Sequence, residues 1–326
     1  MMTQASKNSG EFDLIERLFA PYAAPDTALN LRDDAACYTP RAGYDLVIST
    51  DMLVSGVHFP LDAPADMVAG RLVGSNISDL AAKGAEPVGC LLNLAIARSW
   101  DEAYVTAFAA SFGSLLQSYK MPLWGGDTVK SQQGVVSLSV YGEVPQGKMV
   151  TRAGAQIGDD VYVTGNIGDG FLGLQHALNA TLGESLATYH QPNPPLAFGQ
   201  ALRELATSCL DVSDGLAADL DHICSAARVA MRIEADRVPL SNEGQAYIAE
   251  RPTQLVDLLT GGDDYQLAFT APASAAVALS GLAAQFGLRL TRIGRVEMAG
   301  NGHQSAVFVD DMGAKLGFER RGFQHF

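Results

Sequence analysis

An apolar run that breaks off at oxygen-bearing side chains recurs along this chain, and it constrains the fold more than any other feature. In Leu46-Val47-Ile48-Ser49-Thr50-Asp51-Met52-Leu53-Val54-Ser55-Gly56-Val57-His58-Phe59 the run has the look of a buried strand and stops at Ser49, Thr50 and Asp51. A strand ending in hard oxygen ligands suits a hard cation such as Mg²⁺. The same three residues, taken alone, also close a strand or cap a helix. The form returns at Pro122-Leu123-Trp124-Gly125-Gly126-Asp127-Thr128, at Leu210-Asp211-Val212-Ser213-Asp214-Gly215 and at Gly261-Gly262-Asp263-Asp264. Asp33-Asp34 forms an acidic turn before Cys37-Tyr38.

The intervening segments read as helices and strands in alternation. Phe12 to Tyr22 predicts a short amphipathic helix, and Ala65 to Ala85, after Pro64, a long one. On the long helix Asn76, Asp79 and Lys83 fall on one face, and their small neighbours Ser78, Ala81 and Ala82 suit close packing. Val88–Ala97 and Val135–Val144 read as strands, and Trp100–Tyr119 as a helix. Pro145-Gln146-Gly147 and the turn-rich stretch after it break the pattern. The domain division therefore falls near residue 150, giving domains of 1–150 and 151–326. Beyond it, strands are expected at 161–164, 229–239, 265–270 and 288–298. Helices are expected from about Phe171, through Ala227, and over Ala273–Phe286. The fold class is α/β and α+β.

Composition excludes several functions. A net charge of −14 repels a nucleic-acid backbone. A phosphate ligand then requires bridging cations, or acidity placed away from its site. No apolar run reaches the ~18 residues of a membrane span. The polar stretch Met1 to Gly10 has no apolar signal region. Cys37, Cys90, Cys209 and Cys224 form no CxxC pair and read as reduced thiols of a cytoplasmic protein.

No P-loop, HExxH, zinc spacing or GxSxG elbow occurs. Gly168-Asp169-Gly170-Phe171-Leu172-Gly173 matches GxGxxG, but a Pro192 loop follows in place of a strand ending in an acid. That leaves a helix start with close backbone packing as the competing reading. His222 reads as a structural partner. What recurs is aspartate in turns. Converging carboxylates raise one another's pKa unless cations intervene, and Mg²⁺ keeps coordination positions open for phosphate oxygens. The pattern points to an aspartate-built, multi-magnesium nucleotide site.

The ordered set Asp33-Asp34-Ala35-Ala36, Ser49 to Val54 with Gly56 and His58-Phe59, Asn76-Ile77-Ser78-Asp79-Leu80-Ala81-Ala82, Gly125-Gly126-Asp127-Thr128, Asp211 to Leu216 and Gly262-Asp263-Asp264-Tyr265 resembles the thiamine-monophosphate kinases. Gly10-Glu11-Phe12 and Gly322-Phe323-Gln324-His325-Phe326 fit as well, so the resemblance spans nearly the whole chain. It implies the two-domain aminoimidazole ribonucleotide synthetase-like fold. An N-terminal sheet domain would form the homodimer interface and a C-terminal α+β domain would complete the site. It also implies ATP-dependent conversion of thiamine monophosphate to thiamine diphosphate. By resemblance, Asp34, Ser49, Thr50, Asp51, Asp79, Asp127, Asp211 and Asp214 hold several Mg²⁺ ions. Gly126, Asp127, Arg152 and Ser213 touch ATP. His58, Asp263, Arg320 and Phe323 face thiamine monophosphate. No residue is assigned as a general base.

Four positions depart from the family pattern. Arg32 replaces a glycine before Asp33-Asp34. Asp263 replaces a glutamate, shortening its reach by one methylene. Leu196 replaces a basic residue after Pro195. Arg320 stands where a substrate-contacting Trp occurs. Two alternatives stay open: another ATP-dependent enzyme of the same fold, or a non-catalytic Mg-nucleotide sensor. No cysteine precedes Cys37 and the chain ends in Phe326, which argues against the selenophosphate synthetases and the hydrogenase maturation enzymes.

Overall fold

The computed structural model describes residues 10–300 and 304–324, so His325 and Phe326 of the tail motif and the polar stretch 1–9 lie outside the described residues. In chain order, α1 (Glu11–Leu18), β1 (Tyr44–Val54), α2 (Ala65–Lys83), β2 (Glu86–Ala97), α3 (Glu102–Ser118), β3 (Leu123–Ser131) and β4 (Val135–Pro145) form the first half. The second half contains β5 (Asp160–Thr164), α4 (Asp169–Asn179), α5 (Glu184–His190), α6 (Leu196–Ala201), β6 (Ser208–Asp211) and α7 (Leu216–Ala227). It continues through β7 (Ala230–Glu234), α8 (Asn242–Glu250), α9 (Leu255–Thr260), β8 (Leu267–Ala271), α10 (Ala276–Gln285), β9 (Leu290–Glu297) and β10 (Ala306–Val309).

The first sheet has the order β1-β4-β2-β3, antiparallel except for the β2–β3 pair. Its alternating residues explain its two faces. Val47 and Leu53 of β1, Leu92 and Leu94 of β2, and Val136, Leu138 and Val140 of β4 are buried with α2 and α3 in one core. Leu46, Ile48 and Met52 lie on the opposite face, which stays exposed. The second sheet has the order β10-β7-β9-β5-β8-β6 and packs its own core against α7.

Two strand ends differ from the sequence expectation. β1 does not stop at Ser49-Thr50-Asp51 but pairs with β4 from Tyr44↔Pro145 to Val54↔Val135. β3 likewise runs through Gly125-Gly126-Asp127 to Ser131 along β2. Backbone pairing satisfies the peptide groups whatever the side chains carry. A Cβ at Gly126 would lie 1.7 Å from the Leu92 carbonyl oxygen, so only glycine lets β3 approach there.

Helix α2 is the central strut. Leu72, Val73, Ile77 and Leu80 are fully buried in the first core, while Ala81 and Ala82 join a cluster with Phe198, Cys209 and Phe269 of the second half. Each large aliphatic side chain contributes roughly 1.5–3 kcal/mol by its burial. The chain from His190 to Gly199 lies against the helix's glycines. A Cβ at Gly74 would meet the Pro192 carbonyl at 2.9 Å, and one at Gly199 the Ala81 carbonyl at 2.1 Å. The helix ends at Gly84, whose positive φ of 66° lets its N–H and that of Ala85 return to Ala81 and Leu80.

Candidate active site

The pleat of β1 sorts the polar trio. Ser49 and Asp51 point toward α2, and Thr50 points to the open face, where its hydroxyl donates to the Leu138 carbonyl at 3.2 Å. A period of two residues cannot bring all three to one site, so Thr50 is separated from the cluster it was expected to join. The Ser49 hydroxyl donates to Asp79. The outward Asp51 N–H of this edge strand donates to Asn76 Oδ1 at 3.2 Å, and Asn76 is itself held by the Leu72 carbonyl at 2.8 Å.

The second half supplies the facing wall. β6 delivers Asp211, 5% exposed, and the turn after it delivers Ser213 and Asp214. That turn is built around Asp219 of α7. One Asp219 oxygen accepts the N–H groups of Ser213, Asp214 and Gly215 at 3.1–3.2 Å. The loop carrying Asp263 is tied to the same turn: the Asp263 N–H donates to the Ser213 carbonyl and the Tyr265 N–H to that of Val212. The tail closes over it, with the Phe323 N–H donating to the Asp214 carbonyl at 3.0 Å.

Asp51, Asp79, Asp211, Asp214, Ser213, His58, Asp263 and Phe323 thus line one cavity of about 270 Å³ between the two halves. Its carboxylates act on one another. Burial, then the Asp79 and Asp214 charges, pushes Asp51 up to about 6. Burial, then Asp79 and Asp51, pushes Asp211 up to about 7. Burial pulls the Lys83 ammonium down, and its hydrogen bond goes to the Cys209 carbonyl at 2.9 Å. A set of hard oxygen donors left this short of positive charge fits divalent magnesium.

His58 follows the turn after β1. Its Nδ1 accepts the Val54 N–H at 3.0 Å, so the neutral ring carries its proton on Nε2. Arg152 is exposed on a 3₁₀ turn packed against β6 and α7, and its charge reaches Lys83.

Asp34 and Asp127 do not join this group. With Asp33, Gly126, Tyr38, Trp124 and Tyr141 they line a separate cavity of about 650 Å³ that runs across the sheet from β3 to Leu46 of β1, beneath residues of the N-terminal segment. β1 and β3 are opposite edges of the sheet, three strand spacings or roughly 14 Å apart. Arg320 is exposed and is not part of the acidic cavity's wall. Leu196 packs between the first and third core clusters, so this departure serves packing. Arg32 is 77% exposed and pairs with Glu16 at 3.6 Å.

The GxGxxG segment wraps a carboxylate of the chain itself. Asp264, buried and pushed by that burial to about 8, accepts the N–H groups of Gly168 and Gly170 at 2.8–3.0 Å. A Cβ at Gly170 would meet the Gly262 carbonyl at 2.3 Å. The glycines serve close packing, and the helix start is already occupied by the Asp264 carboxyl of the chain itself.

Sequence reasoning missed Arg71, Tyr189 and Tyr265 in the wall of the acidic cavity. Arg71 is 2% exposed; its Nη2 donates to Asp263 Oδ1 at 2.8 Å, and its guanidinium stacks 3.9 Å over Tyr189. A charged residue amid the small and apolar side chains of Ala69-Gly70-Arg71-Leu72-Val73 was the available signal.

Comparison with known proteins identifies the family. Residues 32–144 match the AIR synthase related protein N-terminal domain, and residues 156–304 match its C-terminal domain. The chain is 40% identical to the thiamine-monophosphate kinase of Caulobacter vibrioides over 292 residues, 87% of this chain and 83% of that protein. Among solved structures it is similar to the thiamine-monophosphate kinase of Stenotrophomonas maltophilia K279a. The TM-score is 0.81 and the identity 36%, over 92% of this chain and 96% of that one. It is also similar to AaThiL complexed with AMPPCP and TMP, with TM-score 0.76 and 28% identity over the whole of both chains. An AIR synthase-type fold in two matched halves, with identity of this extent along almost its full length, makes this chain a member of the thiamine-monophosphate kinase family.

Proposed function

We propose that this protein transfers the γ-phosphoryl group of ATP to thiamine monophosphate, yielding ADP and thiamine diphosphate. The reading is supported by the family and by a relative's complex with AMPPCP and TMP. The observation that carries it is the meeting of Asp51 and Asp79 from one half with Asp211 and Asp214 from the other around a single cavity.

The acceptor is a phosphate monoester with a second pKa of ~6, so at pH 7 it is already largely dianionic and needs no general base. The obstacle is repulsion between polyanions. At an effective dielectric of 20, two unit charges 4 Å apart repel by about 4 kcal/mol. Magnesium, when bound, would supply the positive charge that offsets this repulsion. Asp51, Asp79, Asp211 and Asp214 would hold such ions, with the Ser49 hydroxyl fixing the Asp79 carboxylate. Ser213 and Arg152 serve the nucleotide phosphates. His58 Nε2–H serves the acceptor phosphate, its ring steadied by the Val54 N–H. Asp263 and Phe323 face the thiamine.

The exposed apolar face bearing Leu46, Ile48 and Met52 pairs two copies into a homodimer. With the two-fold axis running along the strands, face-to-face pairing sets the β3 edge of one sheet beside the β1 edge of the other. Asp34, Gly126 and Asp127 of one copy then stand near the acidic cavity of its mate and share the metal-nucleotide. Among the described residues no helix is long and apolar enough to cross a membrane. The four unpaired cysteines fit the reducing cytoplasm.

The test is direct: incubate the protein with ATP, Mg²⁺ and thiamine monophosphate, and measure thiamine diphosphate. Asp51→Asn and Asp127→Asn should each lower turnover by orders of magnitude with the fold retained. Absence of product from the unaltered protein would overturn the reading.

A further inference from the structure

Helix α2 carries two polar groups into the acidic cavity at different depths. Asp79 stands among the carboxylates, and Arg71 stands two turns earlier beside Asp263. Eight helical residues separate them by roughly 12 Å along the axis. The cavity therefore has a carboxylate end and a second end formed by Arg71, Asp263, Tyr189 and Tyr265.

At that second end the hydrogen bonds are unevenly distributed. Arg71 Nη2 and the Tyr265 hydroxyl both donate to Asp263 Oδ1, at 2.8 and 2.9 Å. Among the described residues no hydrogen bond reaches Oδ2, although the Asp263 side chain is 24% exposed at the cavity. Asp263 also has a positive φ of 63°, a conformation that aspartate tolerates better than longer side chains. Arg71 is in turn fixed from below. Its Nη1 donates to the Tyr189 carbonyl at 3.0 Å, its face lies on the Tyr189 ring, and its Nε–H is buried without a partner. A guanidinium placed only to fill the core would be expected to satisfy that donor.

We propose that Arg71 is a positioning residue for the acceptor. By holding Oδ1 it aims Asp263 Oδ2 into the cavity and cancels the Asp263 charge, so that Asp263 acts there as an oriented hydrogen-bond acceptor and adds no free negative charge. The ligand chemistry it suits is a donor group on the ring end of thiamine monophosphate, with the phosphate directed to the carboxylate end. This rests on the reading that Asp263 faces the acceptor. The α2 spacing between Arg71 and Asp79 then sets the distance between the two ends of the bound substrate.

Steady-state kinetics on Arg71→Met, Arg71→Lys, Asp263→Asn and the Arg71→Met/Asp263→Asn double variant test it, with thermal unfolding alongside. Arg71→Met should raise KM for thiamine monophosphate by about tenfold or more, as expected for a lost hydrogen bond to a charged group. KM for ATP should stay within about twofold. Asp263→Asn should do the same, and the double variant should be no worse than the poorer single one, because one residue acts through the other. Arg71→Lys should keep the fold and still lose acceptor affinity, since an ammonium cannot both stack and hold Oδ1 in place. If Arg71→Met does not fold, the Lys variant alone decides. Equal rises in both KM values with a lowered unfolding temperature would overturn the proposal, as would multiplying effects in the double variant. An unaltered protein that makes no thiamine diphosphate would instead defeat the assigned reaction. A fully active one whose Asp263→Asn form keeps its KM would defeat only this inference.

Discussion

Replacing Asp79 with asparagine should stabilise the metal-free protein while abolishing its activity. Asp79 is the first charge, after burial, that raises both Asp51 and Asp211 from 3.8, to about 6 and about 7. One pKa unit corresponds to about 1.4 kcal/mol, so assigning Asp79 roughly one unit at each neighbour gives about 2–3 kcal/mol of relieved repulsion. Asparagine keeps an oxygen for the Ser49 hydroxyl, so little is lost in exchange. For a chain of 326 residues that is a rise in unfolding temperature of roughly 3–4 °C. The sign depends on pH. Both carboxyls have folded pKa values above their unfolded ones, so the stability gained by holding protons is complete below about pH 4 and is lost as pH rises through 6 to 7. The gain from Asp79→Asn should therefore be clear at pH 8 with chelator and absent near pH 5. Calorimetry at the two pH values, with and without Mg²⁺, measures this. Unaltered protein should gain more from Mg²⁺ at pH 8 than the variant does. Turnover of the variant should fall on the order of a hundredfold or more. A metal-free variant less stable than the parent at pH 8 would refute the electrostatic account of this cavity.

Three further outcomes are expected. His58→Asn retains an acceptor for the Val54 N–H but removes the Nε2 donor. Its KM for thiamine monophosphate should rise about tenfold with the unfolding temperature within a few degrees, read by steady-state kinetics and calorimetry. Ile48→Asp, on the open sheet face where Ile48 is 61% exposed, should convert a dimer to a monomer in sedimentation velocity without loss of secondary structure. Gly199→Ala places a Cβ 2.1 Å from the Ala81 carbonyl. It should cost about 1–3 kcal/mol, seen in chemical denaturation, with both KM values little changed.

Much of the fold was legible because its signals are local. The expected helix Ala65–Ala85 appears as Ala65–Lys83, and the expected strand Val135–Val144 as Val135–Pro145. Short helices such as α5, α6 and α9 escaped notice because six or seven residues carry too little periodicity. Of the site, Asp51, Asp211 and Asp214 were signalled by their recurrence beside apolar runs and Asp79 by its place on the long helix and by the family resemblance, and the four line one cavity. Thr50 was grouped with them although strand parity turns it away. Reading a turn at Gly125-Gly126-Asp127 hid the fact that Asp127 lies on an edge strand, remote from Asp51 within one chain. Arg71 and Asp219 were missed for a common reason. Their partners, Asp263 for one and the Ser213–Gly215 turn for the other, are tertiary or cap contacts that no residue spacing announces.

The same arrangement accounts for how a chain of net charge −14 can serve two phosphate compounds. The carboxylates that matter are held facing one another by elements whose stability comes from elsewhere. α2 is locked into both halves by buried aliphatic contacts and by glycines that admit the 190–199 segment. β1 and β6 are fixed by sheet pairing. Those contacts sustain a cluster that, left to itself, would separate or take up protons. Repulsion inside the cavity is therefore a property of the unliganded protein, and on the proposed mechanism the cations that would relieve it are also those that would let one anion approach another. On that mechanism the acidity serves the phosphate ligands only through the metal, so metal affinity and catalytic competence should rise together between pH 6 and 8, as Asp51 and Asp211 release their protons.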